Sequence, residues 1–179
     1  SSDGSRAEAE AAGARVAAGL GHGIASARNI GVAAARGRFV AFFDDDQRAS
    51  RGWLAALLEG ARASGALVAA GPRLLAWPPG LEPDLDPRLP RLLGQEPARG
   101  ASGFLDGPHL PNTGNVLVLR ELFDRLGGFD ESLPEGGEDT EWFLRVRRAG
   151  MPIWWADAAR VEHLIDPGRL EPEALRRRA

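Results

Sequence analysis

The 179 residues contain no cysteine, which excludes disulfides, thiolate metal sites and cysteine nucleophiles. No stretch approaches the roughly 18 consecutive apolar residues of a membrane span, and no signal-peptide pattern opens the chain. Positive charge is not in excess: the net charge is −3, so no general attraction for nucleic acid is expected. The only basic cluster, Arg176-Arg177-Arg178, reads as a solvated tail or as a contact for a membrane surface or phosphate. What is present suffices for one globular domain with a real core, at 44% hydrophobic and 26% charged residues. The chain starts at Ser1 in a turn-like Ser-Ser-Asp-Gly-Ser and reads as a segment of something longer.

The densest chemistry lies at Arg38-Phe39-Val40-Ala41-Phe42-Phe43-Asp44-Asp45-Asp46. A continuous apolar run fits a strand buried on both faces. Three adjacent carboxylates repel one another and contribute nothing to folding. At the C-terminal end of a strand in an open α/β sheet, ligands bind. A carboxylate cluster there suits a hard divalent cation carrying a phosphorylated ligand; the alternative is a solvated acidic turn.

Helices are expected over Arg6 to Ala12, Ile24 to Arg36 (stopped by Gly37), from Ser50 as a cap through Trp53, Leu54, Leu57 and Leu58, over Glu121 to Leu126, and over Asp139 to Arg148. Strands are expected at Ala14 to Ala18, to Phe43, over Ala66 to Leu75, at Asn115 to Leu119, at Ile153 to Trp155 and at Ala159 to Val161. This alternation implies an α/β layered fold with a largely parallel sheet. Between Trp77 and Pro111, eight prolines exclude regular structure from most of the segment. So long a loop in a compact domain is usually functional or disordered.

A second acidic site occupies Gly136-Gly137-Glu138-Asp139-Thr140-Glu141. Helical spacing puts Asp139 on a face with Trp142, Phe143 and Val146, and puts Glu138, Glu141, Arg145 and Arg148 on the polar face. Asp139 is thus expected to be the acid on the buried side, in a first turn where the helix dipole favours negative charge. It would otherwise serve as an N-cap. Glu141 and Arg145 form an ordinary i,i+4 pair.

These motifs resemble a family. Asp3-Gly4-Ser5, Ala27-Arg28-Asn29-x-Gly31 with Ala35-Arg36-Gly37, and Phe43-Asp44-Asp45-Asp46 with Trp53-Leu54 look like the nucleotide half of a GT-A glycosyltransferase. Gly127-Gly128-Phe129-Asp130-Glu131, Gly137-Glu138-Asp139-Thr140 with Arg145, Gly150, and Val161-Glu162-His163 resemble its acceptor half. The nearest group is family 2, inverting enzymes of polysaccharide, glycolipid and cell-envelope synthesis. The resemblance implies a Rossmann-like three-layer sandwich in one domain over 1–179. Residues 1–76 would bind nucleotide sugar, 77–114 form a Pro-rich variable loop, and 115–179 bind acceptor. The family's first strand, which precedes Asp-Gly-Ser, is absent here, so these residues alone are expected to be poorly stable and weakly active.

Residue by residue, the resemblance gives Asp3 to the nucleobase, or to a turn, and Arg28 to the nucleotide pocket, or to a structural ion pair. Asp44 and Asp46 become the Asp-x-Asp pair, with Asp46 the first choice for Mg²⁺ or Mn²⁺, Asp44 beside it, and Asp45 or Asp44 on the ribose. Asp139 becomes the general base. His163 joins the metal or stays structural, whereas His22 and His109 read as loop or surface residues. The Pro-rich segment and Asn112 to Asn115 would serve the acceptor side and a lid, with Asn115, Glu138 and Trp142 among the substrate contacts. Trp142, Trp154 and Trp155 either stack on sugar rings or fill the core. The partners implied are a nucleoside-diphosphate sugar and a glycan or lipid-linked acceptor. The implied setting is the cytoplasm, with peripheral attachment to the inner membrane face left open. Rival readings are a sugar nucleotidyltransferase, a metal-dependent phosphohydrolase, and a non-catalytic carbohydrate-binding domain.

Overall fold

A computed structural model describes residues 4–17, 19, 23–78, 80, 89–133, 136–171 and 173. In chain order the elements are α1 (Ser5–Ala11), α2 (Gly23–Ala34), β1 (Phe39–Phe43), β2 (Gln47–Ala49), α3 (Trp53–Ser64), β3 (Val68–Ala70), β4 (Arg73–Ala76) and α4 (Leu89–Leu92). They continue as β5 (Gly103–Phe104), β6 (Asn115–Leu119), α5 (Glu121–Leu126), α6 (Glu138–Arg148), β7 (Ile153–Trp155), β8 (Val161–Leu164) and a 3₁₀ turn, Pro167–Leu170. Residues 14–17, expected to begin a strand, are irregular. Ser50 gives only its carbonyl oxygen to the Trp53 N–H; the N-cap of α3 is Gly52, in the left-handed region that a side chain would strain.

Among the described residues, the strands form a five-stranded sheet in the order β1-β6-β3-β7-β5 and a three-stranded sheet in the order β2-β8-β4. The expectation of a largely parallel sheet needs correction. Only β3 and β7 pair in parallel in the larger sheet, whereas β1–β6, β3–β6 and β5–β7 are antiparallel. The helical connections do leave β1 and β3 running the same way, as such crossovers require. The intervening place, however, is taken by β6, which returns in the opposite sense after the long Pro-rich excursion. Local pattern cannot reveal such a non-local insertion.

β6 is buried along its whole length, and its alternation divides the core. Val116 and Val118 face α2, α5 and α6, where Leu122, Phe123, Trp142, Phe143 and Val146 pack. Leu117 faces α3, against Leu57 and Ala61. Helices on both faces of the sheet complete the expected three-layer sandwich. Trp142 is fully buried, lies 4.6 Å from Phe123 in a stacked arrangement, and donates its indole N–H to the Gly127 carbonyl. It is a core residue and not a sugar platform. Trp155 is likewise buried, with its N–H on Asp157.

The two sheets are joined where β1 passes into β2, β3 into β4, and β7 into β8. Residues 44–46 make the first of these crossings. Gly71-Pro72 makes the second, splitting the expected single strand over Ala66 to Leu75. The crossings are stitched together by Gly71 N–H to Asn115 O, Ala156 N–H to Ala70 O, Val161 N–H to Pro72 O and Leu164 N–H to Asp46 O. No helix among the described residues is long and apolar enough to cross a membrane.

Candidate active site

The acidic triplet sits where β1 leaves the larger sheet, at the wall of a cleft of about 520 Å³. Asp44, Asp45 and Asp46 all line it, with Arg28, Arg73 and His163 among their neighbours. Asp44 lies between two guanidiniums: its carboxylate oxygens are 3.6 Å from Arg28 Nη2 and 3.6 Å from Arg73 Nη1. Asp46 Oδ2 is 3.2 Å from His163 Nε2, a contact set by the β2–β8 register that places His163 opposite Gln47. Asp45 is exposed.

Arg73, at the start of β4, went unnoticed in the sequence and is the hub of the site. Its side chain is 13% exposed, its Nε–H donates to the Gly94 carbonyl at 2.6 Å, and its backbone exchanges hydrogen bonds with Glu96. Burial pushes its guanidinium below the ordinary value, while Glu96, Asp44, Asp139 and Asp46 pull it back up. The same cation therefore feels both acidic sites. Part of the Pro-rich segment is thereby tied to the cleft wall, with Leu92, Leu93 and Gly94 contributing to it.

Asp139 is in the first turn of α6. The N-cap is Gly137, so the capping alternative does not hold. One Asp139 oxygen accepts from the Thr140 N–H at 2.7 Å, the other from the Thr113 N–H at 3.4 Å. Thr113 itself lines the cleft. Asp139 does not itself line the cleft; it lies behind Thr113, one residue removed from the wall that carries the triplet.

Three sequence expectations change. Glu138, assigned to the polar face and to substrate, is 3% exposed and ion-pairs with Arg28 from α2. Asp139 is the more exposed acid of the two. The buried stripe of α6 runs Glu138–Trp142–Val146 with Phe143, and a partner 110 residues away makes an acid tolerable there. Asn115, expected at the substrate, is buried with its side chain committed to the fold: its amide N–H groups go to the Pro72 and Ala159 carbonyls and its oxygen accepts from the Trp53 indole. Trp142 is in the core, as described above. Asp44, for its part, lies between two arginines at the cleft wall. Asp3, His22 and Arg176 to Arg178 lie outside the described residues. His109 sits in a neighbouring groove 3.8 Å from Glu96.

No cluster of three or more His, Asp and Glu side chains arranged to hold a metal ion occurs among the described residues. The Asp46 carboxylate nonetheless fits a Mg²⁺ or Mn²⁺ site completed by water and phosphate, and the His163 imidazole beside it suits Mn²⁺ better than Mg²⁺. Such cations keep several waters and take one or two protein ligands, with phosphate oxygens supplying the rest.

Comparison with known proteins agrees with this geometry. Residues 1–125 match the family model described as Glycosyl transferase family 2. The chain is 32% identical over 153 residues to the succinoglycan biosynthesis protein ExoM of Rhizobium meliloti (strain 1021), spanning 82% of this chain and 46% of that protein. It is also 32% identical over 151 residues to the pre-mycofactocin glycosyltransferase of Mycobacterium tuberculosis (strain ATCC 25618 / H37Rv), spanning 79% and 30% respectively. The chain therefore covers less than half the length of these curated relatives. Among solved structures, GalNAc-T7, crystallised with UDP, GalNAc and Mn²⁺, matches with a TM-score of 0.58 at 20% identity, over 80% of this chain and 31% of that one. At that identity the likeness is one of fold. With the sequence match covering the β1 triplet and the fold shared with a known GT-A enzyme, the chain belongs to glycosyl transferase family 2.

Proposed function

We propose that this chain carries out inverting transfer of a sugar from a nucleoside-diphosphate sugar to an acceptor hydroxyl, on a glycan or lipid-linked acceptor in polysaccharide, glycolipid or cell-envelope synthesis. The observation that carries the reading is the cleft lined by Asp44, Asp46 and Arg73, with Asp139 bonded to the Thr113 N–H behind its wall and acting on the same Arg73 charge. A nucleotide sugar suits its size, since ligand pockets span about 300–1,000 Å³. Arg28 and Arg73 supply positive charge to the diphosphate, with Asp44 holding both guanidiniums in place. Asp45, exposed at the cleft wall, is free to meet the ribose.

Asp46 and His163 would hold Mg²⁺ or Mn²⁺. When bound, such an ion neutralises charge that develops on the departing diphosphate, worth several kcal/mol. Asp139 takes the proton from the acceptor hydroxyl as that oxygen attacks the anomeric carbon from the face opposite the diphosphate. The N–H groups of Thr113 and Thr140 fix the orientation of its carboxylate. A base so placed typically contributes about 10²–10⁴-fold. One carboxylate cannot efficiently hold a cation and accept a proton, which is why two acidic sites are needed. Family membership favours transfer over the nucleotidyltransferase and phosphohydrolase readings. A cytoplasmic site of action fits this donor chemistry.

The test is a panel of nucleotide sugars titrated into the full protein with Mn²⁺, with and without chelator. Donor binding should depend on the metal, and Asp46→Ala should remove most of that dependence. Equal affinity with and without chelator would contradict the metal assignment.

A further inference from the structure

Glu138 is a buried acid that the transfer mechanism does not use. Its side chain is 4% exposed, and one oxygen, Oε1, pairs with Arg28 Nη1. The other, Oε2, is buried without a hydrogen-bond partner. Burying a carboxylate with half of its acceptor capacity unmet is unfavourable, and such groups persist where they have a task. The environment identifies that task. Glu138 opens α6 and is followed directly by Asp139. The residues before it, Gly136 and Gly137, both have positive φ, and no side chain caps the helix. Local sequence therefore does little to fix the start of α6. The tie that does so comes from α2, through Arg28.

Arg28 has a second commitment. Its other terminal nitrogen faces Asp44 Oδ1 at 3.6 Å, and its guanidinium stands 5.9 Å from the centre of the Phe129 ring. Glu138, Arg28, Asp44 and Arg73 thus form one line of alternating charge. It runs from the root of the base-bearing helix to the wall that would receive the donor.

We infer that Glu138 is a positioning residue that registers the Asp139 carboxylate against the donor cleft through Arg28, without touching either substrate. This rests on the proposed reading of the cleft as a donor site and of Asp139 as the base. If it holds, loss of the Glu138 charge releases the first turn of α6 but leaves Arg28 available to Asp44 and the diphosphate. Turnover and donor affinity then separate, which general loosening of the fold would not produce.

The test compares Glu138→Gln and the charge-retaining Glu138→Asp in the full protein. Mn²⁺–UDP and Mn²⁺–GDP binding, kcat and KM, and amide hydrogen exchange at Thr140 are read in each. Glu138→Gln should lower kcat at least tenfold, with nucleotide affinity within threefold of wild type and faster exchange at Thr140. Glu138→Asp should fall between the two. A kcat within threefold of wild type in both variants, or an affinity that falls in step with kcat, overturns the inference. If Asp139→Asn abolishes transfer while Glu138→Gln does not, only this inference fails. If Asp139→Asn retains full turnover, the reading of the site itself fails.

Discussion

Gly114 bears no functional group, yet replacing it should weaken donor binding. Its φ is an ordinary one, so alanine meets no backbone strain; the constraint is space. A Cβ there would lie 2.6 Å from Arg73 Nη1, 2.6 Å from Gln47 Nε2 and 2.8 Å from Asp44 Oδ2. Carbon needs about 3.5 Å from such atoms, so the Arg73 and Asp44 termini must each retreat by several tenths of an ångström. The Gln47 amide nitrogen has no hydrogen-bond partner and moves at little cost. The Arg73–Asp44 ion pair, now at 3.6 Å, would widen by about 0.8 Å. With an effective dielectric of about 20, that loosens the pair by about 1 kcal/mol, an upper figure because Asp44 is partly exposed. Since Arg73 would grip the diphosphate from the same position, Gly114→Ala should reduce nucleotide affinity about fivefold. Calorimetric titration with Mn²⁺–UDP and Mn²⁺–GDP, alongside thermal unfolding, measures it. Affinity within twofold of wild type, with the fold intact, would refute the placement of the donor at Arg73.

Trp142→Ala removes the fully buried ring that Phe123, Phe129 and Phe143 surround, and should cost about 3–5 kcal/mol in urea unfolding. A cost under 1 kcal/mol would contradict its role as a core residue. Asp157 gives an acid-sensitive prediction. Burial raises its carboxyl, but the Arg99 backbone N–H, the Trp155 indole and Arg160 together bring it below the ordinary value. The stability it contributes is present above the unfolded-state value of about 3.9 and is lost as pH falls through the lower folded value. Asp157→Asn should therefore lower the urea midpoint at pH 7, with the gap to wild type closing in acid; a gap that widens on acidification would contradict this.

The apolar run to Phe43 made the strand β1 legible but not its place: it was expected to be buried on both faces, whereas among the described residues β1 is the edge strand of the larger sheet and leaves Ala41 and Phe43 exposed. The outline of α6 was equally clear, since its apolar residues recur at helical spacing. Other features depend on distant partners. Arg73 is one charged residue in the run Pro72-Arg73-Leu74-Leu75, and only the two-sheet junction turns it toward Asp44. Glu138 and Asp139 are about 100° apart on a helix, and which one is buried was decided by Arg28. The antiparallel insertion of β6 likewise followed from pairing with distant segments on both sides, Phe43 with Asn115 and Val68 with Val118 for example. Gly71-Pro72 was a local signal for the break between β3 and β4, and the apolar character of the flanks obscured it.

The central claim is that the cleft holds the donor while a separate carboxylate takes the acceptor's proton. Asp139→Asn in the full protein, with donor affinity and single-turnover transfer measured on the same sample, tests it most directly. The account predicts an affinity close to wild type and transfer slower by two or more decades. Transfer at the wild-type rate, or a loss of donor affinity as large as the loss of rate, would contradict it.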